Sequence, residues 1–366
     1  MLKVKRRLTA SLLALILLLL CACQGQTQTS SRSKAANANG VISGNDPLTD
    51  IFRERFWYSV EPTLAQHGED YVIEWEDAGM EAHIRFLLNR EDGDILHSDV
   101  WDIQLLWLND SADFCVAGLA AGEGVLSKDQ SEMSGVVRKD HGMFQTFPAV
   151  ESLRDLRHFD SLQVFDSRGL VPTGAGGATM ALDLSGVEAC RNLQVLRIDG
   201  VQPVTLEPLA DLPLTDLSLT GCEELDLSEL AGLESLSVLA LSTTGELSLE
   251  PLAELPALKA LQIQGSSRIA SFAPLAQMKL ESLSLLLSEA RRDQYDGADY
   301  TPFTQMTSLV YLDLTNHVSL DAALCNRILS ANPGLKYLDI SFTLAADEAE
   351  QINTQQLEIY TAMPDH

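Results

Sequence analysis

The thiols are the side chains of this sequence best suited to covalent chemistry. Cys190 and Cys222 stand at non-equivalent places relative to the leucine pattern of the second half, which argues against a regular disulfide between neighbouring units. No Cys-x-x-Cys pair is present. Buried free thiols are therefore favoured in the body over a disulfide framework, and a nucleophilic cysteine stays open. The six cysteines are Cys21, Cys23, Cys115, Cys190, Cys222 and Cys325.

Signatures of hydrolytic and metal-dependent catalysis are missing from the sequence. It contains no His-Glu-x-x-His and no Gly-x-Ser-x-Gly. Paired carboxylates carry no weight here, because Asp and Glu total 52. We therefore predict a chain that is not an enzyme, with no catalytic residues, no metal and no cofactor. The histidines follow no metal-ligand spacing and are expected at surface or turn positions: His67, His83, His97, His141, His158, His317 and His366.

Two segments contain residues that resemble ligand-binding motifs only superficially. Residues 171–179 are glycine-rich, but Thr179 stands where the dinucleotide fingerprint requires glycine, and no Lys-Ser/Thr follows as a phosphate-binding loop demands. Residues 286–305 contain several Asp but lack the spacing and terminal Glu of a calcium loop. We interpret the first as a flexible loop and the second as a solvated one.

The amino terminus carries an export signal. Four basic residues among the first seven precede an apolar run at 12–20, which is shorter than the roughly 20 residues of a membrane span. The ending Leu20-Cys21-Ala22-Cys23 resembles the lipobox of bacterial lipoproteins. That resemblance implies cleavage after Ala22 and diacylation of the Cys23 thiol, and an ordinary secretory signal is the alternative. Two or three acyl chains, at about 0.8 kcal/mol per buried methylene, would hold the protein on a membrane.

The charge of the chain limits its partners. Without the four basic residues of 1–22, 21 Lys and Arg would face 52 Asp and Glu, a formal charge of −31. Nucleic acid is not expected as a partner, since such binding needs a basic stripe to neutralise phosphates. The same charge should keep the body away from anionic lipid headgroups. The lipid would then be the membrane contact.

A short leucine repeat dominates the second half of the chain. The phrase Leu-x-x-Leu-x-Leu, with Ile allowed last, recurs in steps of 21, 22, 22 and 22 residues. A unit this short must bury its leucines against the next unit, which predicts a solenoid. Segments such as Leu-Glu-Pro-Leu-Ala between the phrases predict single 3₁₀ turns. The phrases begin at Leu193, Leu214, Leu236, Leu258 and Leu280.

This pattern resembles the short leucine-rich repeats of bacterial surface proteins, internalin-like in spacing, over about residues 150–345. The resemblance implies an α/β leucine-rich repeat solenoid, a horseshoe or arc with a parallel concave sheet, short 3₁₀ turns on the convex side and a helical amino-terminal cap. Many such repeats place Asn at one turn position, where small hydroxyls would bind more weakly and make the turns less regular. Here that position carries Val201, Cys222, Thr244, Ser266, Ser288, His317 and Thr343.

The segment before the repeats looks like the cap found before many bacterial leucine-rich repeats. It has a helical pattern at 77–88, then Gly-x-Ile, Ser-Asp-Val and a leucine-rich strand. Its tryptophans are interpreted mainly as cap core rather than a ligand platform: Trp57, Trp75, Trp101 and Trp107. The predicted division is a signal peptide at 1–22, a lipidated cysteine and flexible tether at 23–46, the cap and first repeat at 47–109, an irregular insertion at 110–149, repeats at 150–345 and a carboxyl-terminal cap or tail at 346–366.

Alternation along the strands sends one set of side chains to the concave surface, where a ligand would bind. Leu196 and Ile198 are predicted to point inward and Arg197 outward. The central outward positions are small and polar. At the carboxyl-terminal end, aromatic rings beside acids suit a basic peptide or a sugar, and strand propensity of Tyr is the alternative. The predicted ligand-binding residues are Tyr311, Asp313, Tyr337 and Asp339.

The function predicted from these patterns is a non-catalytic cell-surface lipoprotein whose repeat arc binds a protein, peptide or glycan. The predicted location is extracytoplasmic, lipid-anchored to the cell membrane, or to the outer membrane if the cell has one. The alternative is an envelope enzyme, or an enzyme accessory subunit, with a site built on an irregular insertion.

Overall fold

The computed structural model describes residues 58–60, 67–111, 114–121, 124–126, 133–134, 137–140, 147–168, 179–265, 268–287, 297–353 and 358–360. The chain divides into two units, residues 1–33 and 34–366, and every described residue belongs to the second. The signal, Cys23, the tether and the glycine-rich loop at 171–178 lie outside the described residues. In the described part, no helix is both long and apolar enough to cross a membrane.

The described strands belong mainly to one sheet of 12 strands. Its order is β19-β18-β17-β16-β14-β12-β11-β9-β7-β2-β3-β6, and smaller sheets have the orders β1-β4-β5, β10-β8 and β13-β15. The strands are Tyr58–Val60 (β1), Ile103–Ser111 (β2), Phe114–Ala121 (β3), Gly124–Leu126 (β4), Met133–Ser134 (β5), Val137–Asp140 (β6), Val164–Arg168 (β7), Met180–Leu182 (β8), Val195–Asp199 (β9), Val201–Pro203 (β10), Asp216–Cys222 (β11), Val238–Thr243 (β12), Glu246–Leu247 (β13), Ala260–Gly265 (β14), Arg268–Ile269 (β15), Ser282–Leu287 (β16), Tyr311–Asp313 (β17), Tyr337–Asp339 (β18) and Glu358–Tyr360 (β19).

A parallel register stacks the repeat leucines in one row. Each strand from β2 and β7 through β19 pairs in parallel with the next strand of the main sheet, and equivalent inward apolar side chains, mostly leucines, are direct partners. Each leucine of this row is at most 1% exposed. The protein is therefore a leucine-rich repeat solenoid, as the sequence predicts. The row contains Leu196, Leu217, Leu239, Leu261, Leu283, Leu312 and Leu338.

Short 3₁₀ helices connect the strands on the convex side, as the Leu-x-Pro-Leu phrases predict. Those at Glu207–Leu209, Glu250–Glu254 and Ala273–Gln277 have proline in their first turn, where a missing amide donor costs nothing. The equivalent Leu227–Leu230 lacks proline and instead begins with the Asp226 carboxylate accepting a hydrogen bond from a backbone amide of the first turn.

In three of the described turns, a short side chain donates to a turn carbonyl of the repeat before it. The Cys222 thiol donates to such an oxygen at 3.3 Å, and the Thr243 hydroxyl does so at 2.5 Å. Thr243 thus has the shorter bond, while the predicted Thr244 reaches the same oxygen at 3.4 Å. Near the carboxyl end, the Asn316 amide donates to the Leu287 carbonyl at 2.7 Å. Asn316 therefore makes the side-chain hydrogen bond to the turn, whereas the sequence pattern assigns this position to His317, one residue later.

The predicted cap helix is present as α1, Ala78–Leu88. The Asp77 carboxylate caps it by accepting from the Met80 amide at 2.8 Å, and its other oxygen accepts from the Glu151 and Ser152 amides. One aspartate therefore fixes both the helix start and the first repeat. Of the tryptophans predicted for the cap core, Trp107 is fully buried but lies on β2, Trp75 and Trp101 are partly exposed, and Trp57 lies outside the described residues.

The segment at 110–149 is not an irregular insertion throughout. Strand β3 pairs antiparallel with β2 over its whole length, and β6 pairs antiparallel with β3. The sequence of β3, Phe-Cys-Val-Ala-Gly-Leu-Ala-Ala, is rich in small residues and lacks a clear alternation, which explains why no strand is predicted there.

The sheet also continues into the predicted carboxyl-terminal tail. Helices α2 (Ala322–Ala331) and α3 (Leu344–Asp347) flank β18, and β19 adds a further parallel strand beyond it. The region predicted as repeats thus ends before the ladder of strands does.

Candidate functional site

Two rows of side chains cross the concave face of the sheet at right angles to the strands. The first row runs from Asp166 through Arg197 to Ser218, Ala240, Gln262, Ser284, Asp313 and Asp339. The second row, two residues earlier on each strand, includes Tyr311 and Tyr337. The alternation that places leucines inside therefore places these polar groups on the opposite face, as the sequence predicts.

A groove with a volume of about 190 Å³ lies on this face over strands β7 to β14. We call it the central groove. Among the described residues that line it, all are polar apart from Ala240 and two strand aliphatics, and none is aromatic. The lining residues are Asp166, Ser167, Arg197, Ile198, Asp199, Ser218, Thr220, Ala240, Leu241, Gln262 and Gln264.

Charges of both signs meet at the amino-terminal end of the central groove. Asp166 and Arg197 are direct partners on adjacent strands, and both are buried. Asp199 is exposed two residues beyond Arg197, and the Thr220 hydroxyl donates to its carboxylate at 2.7 Å. This hydrogen bond orients an acidic group at the open edge of the groove.

Gln262 lies at the other end of the central groove and is only 9% exposed. Among the hydrogen bonds of the described residues, none involves its carboxamide. A buried amide ordinarily has partners for its donors and its acceptor. The Gln262 carboxamide therefore offers the groove hydrogen-bond donors and an acceptor that the fold itself does not use.

The four residues predicted as a ligand surface are adjacent but largely buried. Tyr311 pairs with Tyr337 across strands, with ring centroids 6.3 Å apart, and Asp313 pairs with Asp339. Tyr311, Asp313 and Asp339 are at most 2% exposed, and Tyr337 is partly exposed. The expectation of four exposed side chains is wrong, because each is flanked by equivalent side chains of closely spaced strands. Their role in binding stays a prediction.

Asp313 is held by three hydrogen bonds. Its carboxylate accepts from the Thr315 amide at 2.9 Å, the Thr315 hydroxyl at 2.7 Å and the Ser284 hydroxyl at 3.0 Å. Burial, with the neighbouring charge of Asp339, raises the pKa of Asp313 from 3.8 to about 7. The Asp339 carboxylate likewise accepts from the Ser341 amide at 3.0 Å. Each aspartate thus accepts a hydrogen bond from a backbone amide just after its own strand. The sequence pattern does not predict this structural role.

Several histidines predicted at surface or turn positions are buried instead: His83, His97, His158 and His317. Burial lowers the pKa of His158 to about 4, and its Nδ1 lies 2.8 Å from the Tyr71 hydroxyl. His317 Nδ1 lies 2.8 Å from the hydroxyl of Tyr300, which is buried although the sequence places it in a solvated loop. These rings belong to the core packing of the cap and the last repeats.

His67 lies between two carboxylates that join the cap to the first repeat. Its Nδ1 is 3.0 Å from Asp160 Oδ2 and its Nε2 is 2.9 Å from Asp102 Oδ1, while its ring stacks on Trp101 at 4.2 Å. A neutral imidazole has only one N–H, so both contacts require the doubly protonated ring. Burial lowers the pKa of His67, but the two carboxylates outweigh it and raise the pKa above 6.5.

The described thiols and acidic groups provide no metal centre or redox pair. Cys190, Cys222 and Cys325 are free and buried, and burial raises each pKa to about 12, which suppresses the reactive thiolate. In the described part of the chain, no three His, Cys, Asp or Glu side chains could hold a metal ion. The side chain of Cys115 lies outside the described residues.

No protein-family model matches this chain, and no curated protein matches it. Two solved structures from Listeria monocytogenes are similar to it. An internalin C2 (inlC2) is 21% identical with a TM-score of 0.39, over 56% of this chain and 82% of its own. An internalin (inlF) is 14% identical with a TM-score of 0.33, over 79% of this chain and 96% of its own. At such identities the likeness concerns the fold alone.

Proposed function

We propose that this chain is a non-catalytic surface lipoprotein that binds a protein, peptide or glycan partner through the concave face of its repeat sheet. The observation that carries the proposal is the central groove, a polar concavity built on rigid parallel strands. Repeat proteins of this kind present their binding surface on the sheet, because the interior side chains are committed to the core.

Binding at the groove is tested by filling it. Ala240 lies in its floor between Ser218 and Gln262, so Ala240→Arg should block the groove and reduce partner capture about tenfold or more. Ala231→Arg makes the same chemical change at an exposed position after a convex 3₁₀ helix and should leave capture unchanged. Capture is measured by crosslinking on the native cell surface, with quantification of the crosslinked species.

Equal loss of capture in both variants would point to a general effect of charge. Undiminished capture by Ala240→Arg, with the groove blocked, would place the interface elsewhere. The first alternative location is the Tyr311, Asp313, Tyr337 and Asp339 cluster, where Tyr337 is the accessible member. Tyr337→Ala is then expected to weaken capture, since rigid aromatic rings often dominate an interface.

The proposed lipid anchor rests on the sequence around Cys23. Cys23→Ser removes the thiol that processing would expose for acylation, so incorporation of labelled palmitate and partitioning into detergent should both be lost. Cys21→Ser removes a neighbouring thiol that would leave with the signal and should preserve both. Unchanged labelling of Cys23→Ser would exclude the anchor at this residue.

A further inference from the structure

Much of the central groove is built from a stretch of the sequence that contains no basic residue. Between Arg197 and Lys259 the sequence has 12 Asp and Glu but no Lys, Arg or His. Two of these acids, Asp199 and Asp216, lie on strands of the main sheet, whereas four lie in the convex 3₁₀ helices, and all 12 are exposed or partly exposed. Screening at physiological salt acts over about 8 Å, so acids at the groove edge still affect a ligand bound there. The potential favours a cationic partner.

The acids nearest the groove opening are placed on the strands themselves. Asp199 ends β9 as an exposed residue, oriented by Thr220, and Asp216 begins β11 partly exposed. Arg197 is buried beside its cross-strand partner Asp166, and Asp199 lies two residues later on the same strand, in register with Arg168. Asp199 and Asp216 are therefore acidic groups accessible at this end of the groove.

The other end of the groove carries hydrogen-bonding capacity without charge. Gln262 is buried, its carboxamide makes no hydrogen bond among the described residues, and Gln264 lies on the same face two residues later. A primary amide presents one acceptor and two donors, which match the carbonyl and N–H of a peptide backbone. Polar groups fixed on adjacent strands suit an extended segment that crosses the strands.

We propose, building on the function proposed above, that the central groove binds an extended basic segment of a partner protein. The Gln262 carboxamide pairs with the backbone of that segment, and Asp199 receives a lysine or arginine side chain. Acidic ligands are disfavoured by the surrounding carboxylates. A sugar is disfavoured because none of the described lining residues offers an aromatic ring on which it could stack.

The test uses the full chain with three fluorescent decapeptides of alternating sequence, Lys-Ser, Gln-Ser and Glu-Ser, and measures binding by fluorescence anisotropy. The Lys-Ser peptide should bind most tightly and weaken as salt is raised. Asp199→Lys should weaken its binding about tenfold. Asp211→Lys makes the same charge change at an exposed convex position and should weaken it less than about twofold.

The backbone contact is tested separately from charge. Gln262→Met keeps the length of the side chain but removes its hydrogen bonds, and should weaken the Lys-Ser peptide about fivefold at every salt concentration. Gln194→Met, at an exposed position directly before β9, should not change binding.

Equal weakening by Asp199→Lys and Asp211→Lys would show diffuse attraction and overturn the proposal, as would comparable affinity for the Glu-Ser peptide. Failure of the proposed function gives a different result. If Ala240→Arg blocks capture of the native partner while the Lys-Ser peptide does not bind, the groove is the interface and its ligand is not basic. If the Lys-Ser peptide binds as expected but Ala240→Arg leaves native capture intact, the groove is not the site of that partner.

Discussion

Burial of Asp313 beside Asp339 makes the stability of this protein depend on pH. The pKa of Asp313 is raised in the folded state by burial and by Asp339. A carboxyl group with a raised folded pKa contributes stability that is fully present below its unfolded pKa and is lost as pH rises through the folded value. The loss therefore begins above about pH 4.

Asp313→Asn should remove this dependence. The melting temperature of the wild-type chain, followed from pH 4 to pH 8, is expected to carry a decline that the variant lacks. Asp226→Asn is the matched control, because the Asp226 carboxylate accepts a hydrogen bond from the Ser228 hydroxyl two residues later, as the Asp313 carboxylate does from Thr315, but Asp226 is exposed. Hydrogen bonds from Ser228 lower the pKa of Asp226, so its contribution is lost only as pH falls. An identical decline in wild type and Asp313→Asn would contradict the assignment.

His67 should make the stability of the junction between the cap and the first repeat depend on pH. Since its pKa is raised, its two carboxylate contacts stabilise the fold below about pH 6.5, and this contribution disappears as pH rises through the raised value. His67→Phe retains a ring against Trp101 but no charge. We expect it to lower the melting temperature more at pH 5.5 than at pH 9. A double-mutant cycle with Asp102→Asn isolates the contact, and a coupling that does not change with pH would refute it.

Interior positions of the strands should tolerate no charge. Leu261 is fully buried between Leu239 and Leu283, so Leu261→Asp places an unpaired carboxylate in the leucine row. We expect a loss of more than about 3 kcal/mol of unfolding free energy. Ser235→Asp, at an exposed turn before β12, should cost less than about 0.5 kcal/mol. Urea denaturation compares the two, and similar midpoints would refute the register.

The elements that the sequence predicts well are those whose signal repeats. The strand register, the 3₁₀ turns and the cap helix follow from spacing and capping residues that recur or are local. Alternation does not predict which side chains on the concave face of the sheet are buried. Ser284 is an outward position, but it is fully buried and donates a hydrogen bond to Asp313. A charged substitution there is therefore expected to destabilise the fold. The β3 strand carries no periodic signal, because its residues are small or apolar throughout and do not alternate with polar ones.

The whole solenoid should tolerate loss of one repeat but not of half a repeat. Deleting residues 237–258 removes 22 residues and joins Leu236 to Lys259, which restores the Leu-x-x-Leu-x-Ile phrase. Because each repeat contacts mainly its neighbours, the shortened chain should fold with reduced stability. Deleting residues 237–247 breaks the phase and should abolish cooperative unfolding. Circular dichroism during thermal denaturation distinguishes the two, and similar unfolding of both would contradict a repeat-by-repeat core.

At the scale of the molecule, the sequence predicts where a site should lie better than which residues form it. The concave face follows from the repeat, and small polar central positions are visible in the sequence. The groove depends on how neighbouring side chains fill the face, which single-strand patterns do not reveal. Gln262 has no distinctive motif, and only its burial in the assembled sheet singles it out.

The reversal of strand direction at β2 has a consequence for how such a chain changes in length during evolution. On one side β2 accepts a parallel repeat strand, β7, but on the other it is already paired with the antiparallel β3. A duplicated repeat at that edge would have no parallel neighbour to extend, whereas one inserted between β9 and β16 finds matching leucines on both sides. Homologues should therefore gain or lose length in steps of about 22 residues within the middle of the ladder, while the hairpin end stays constant.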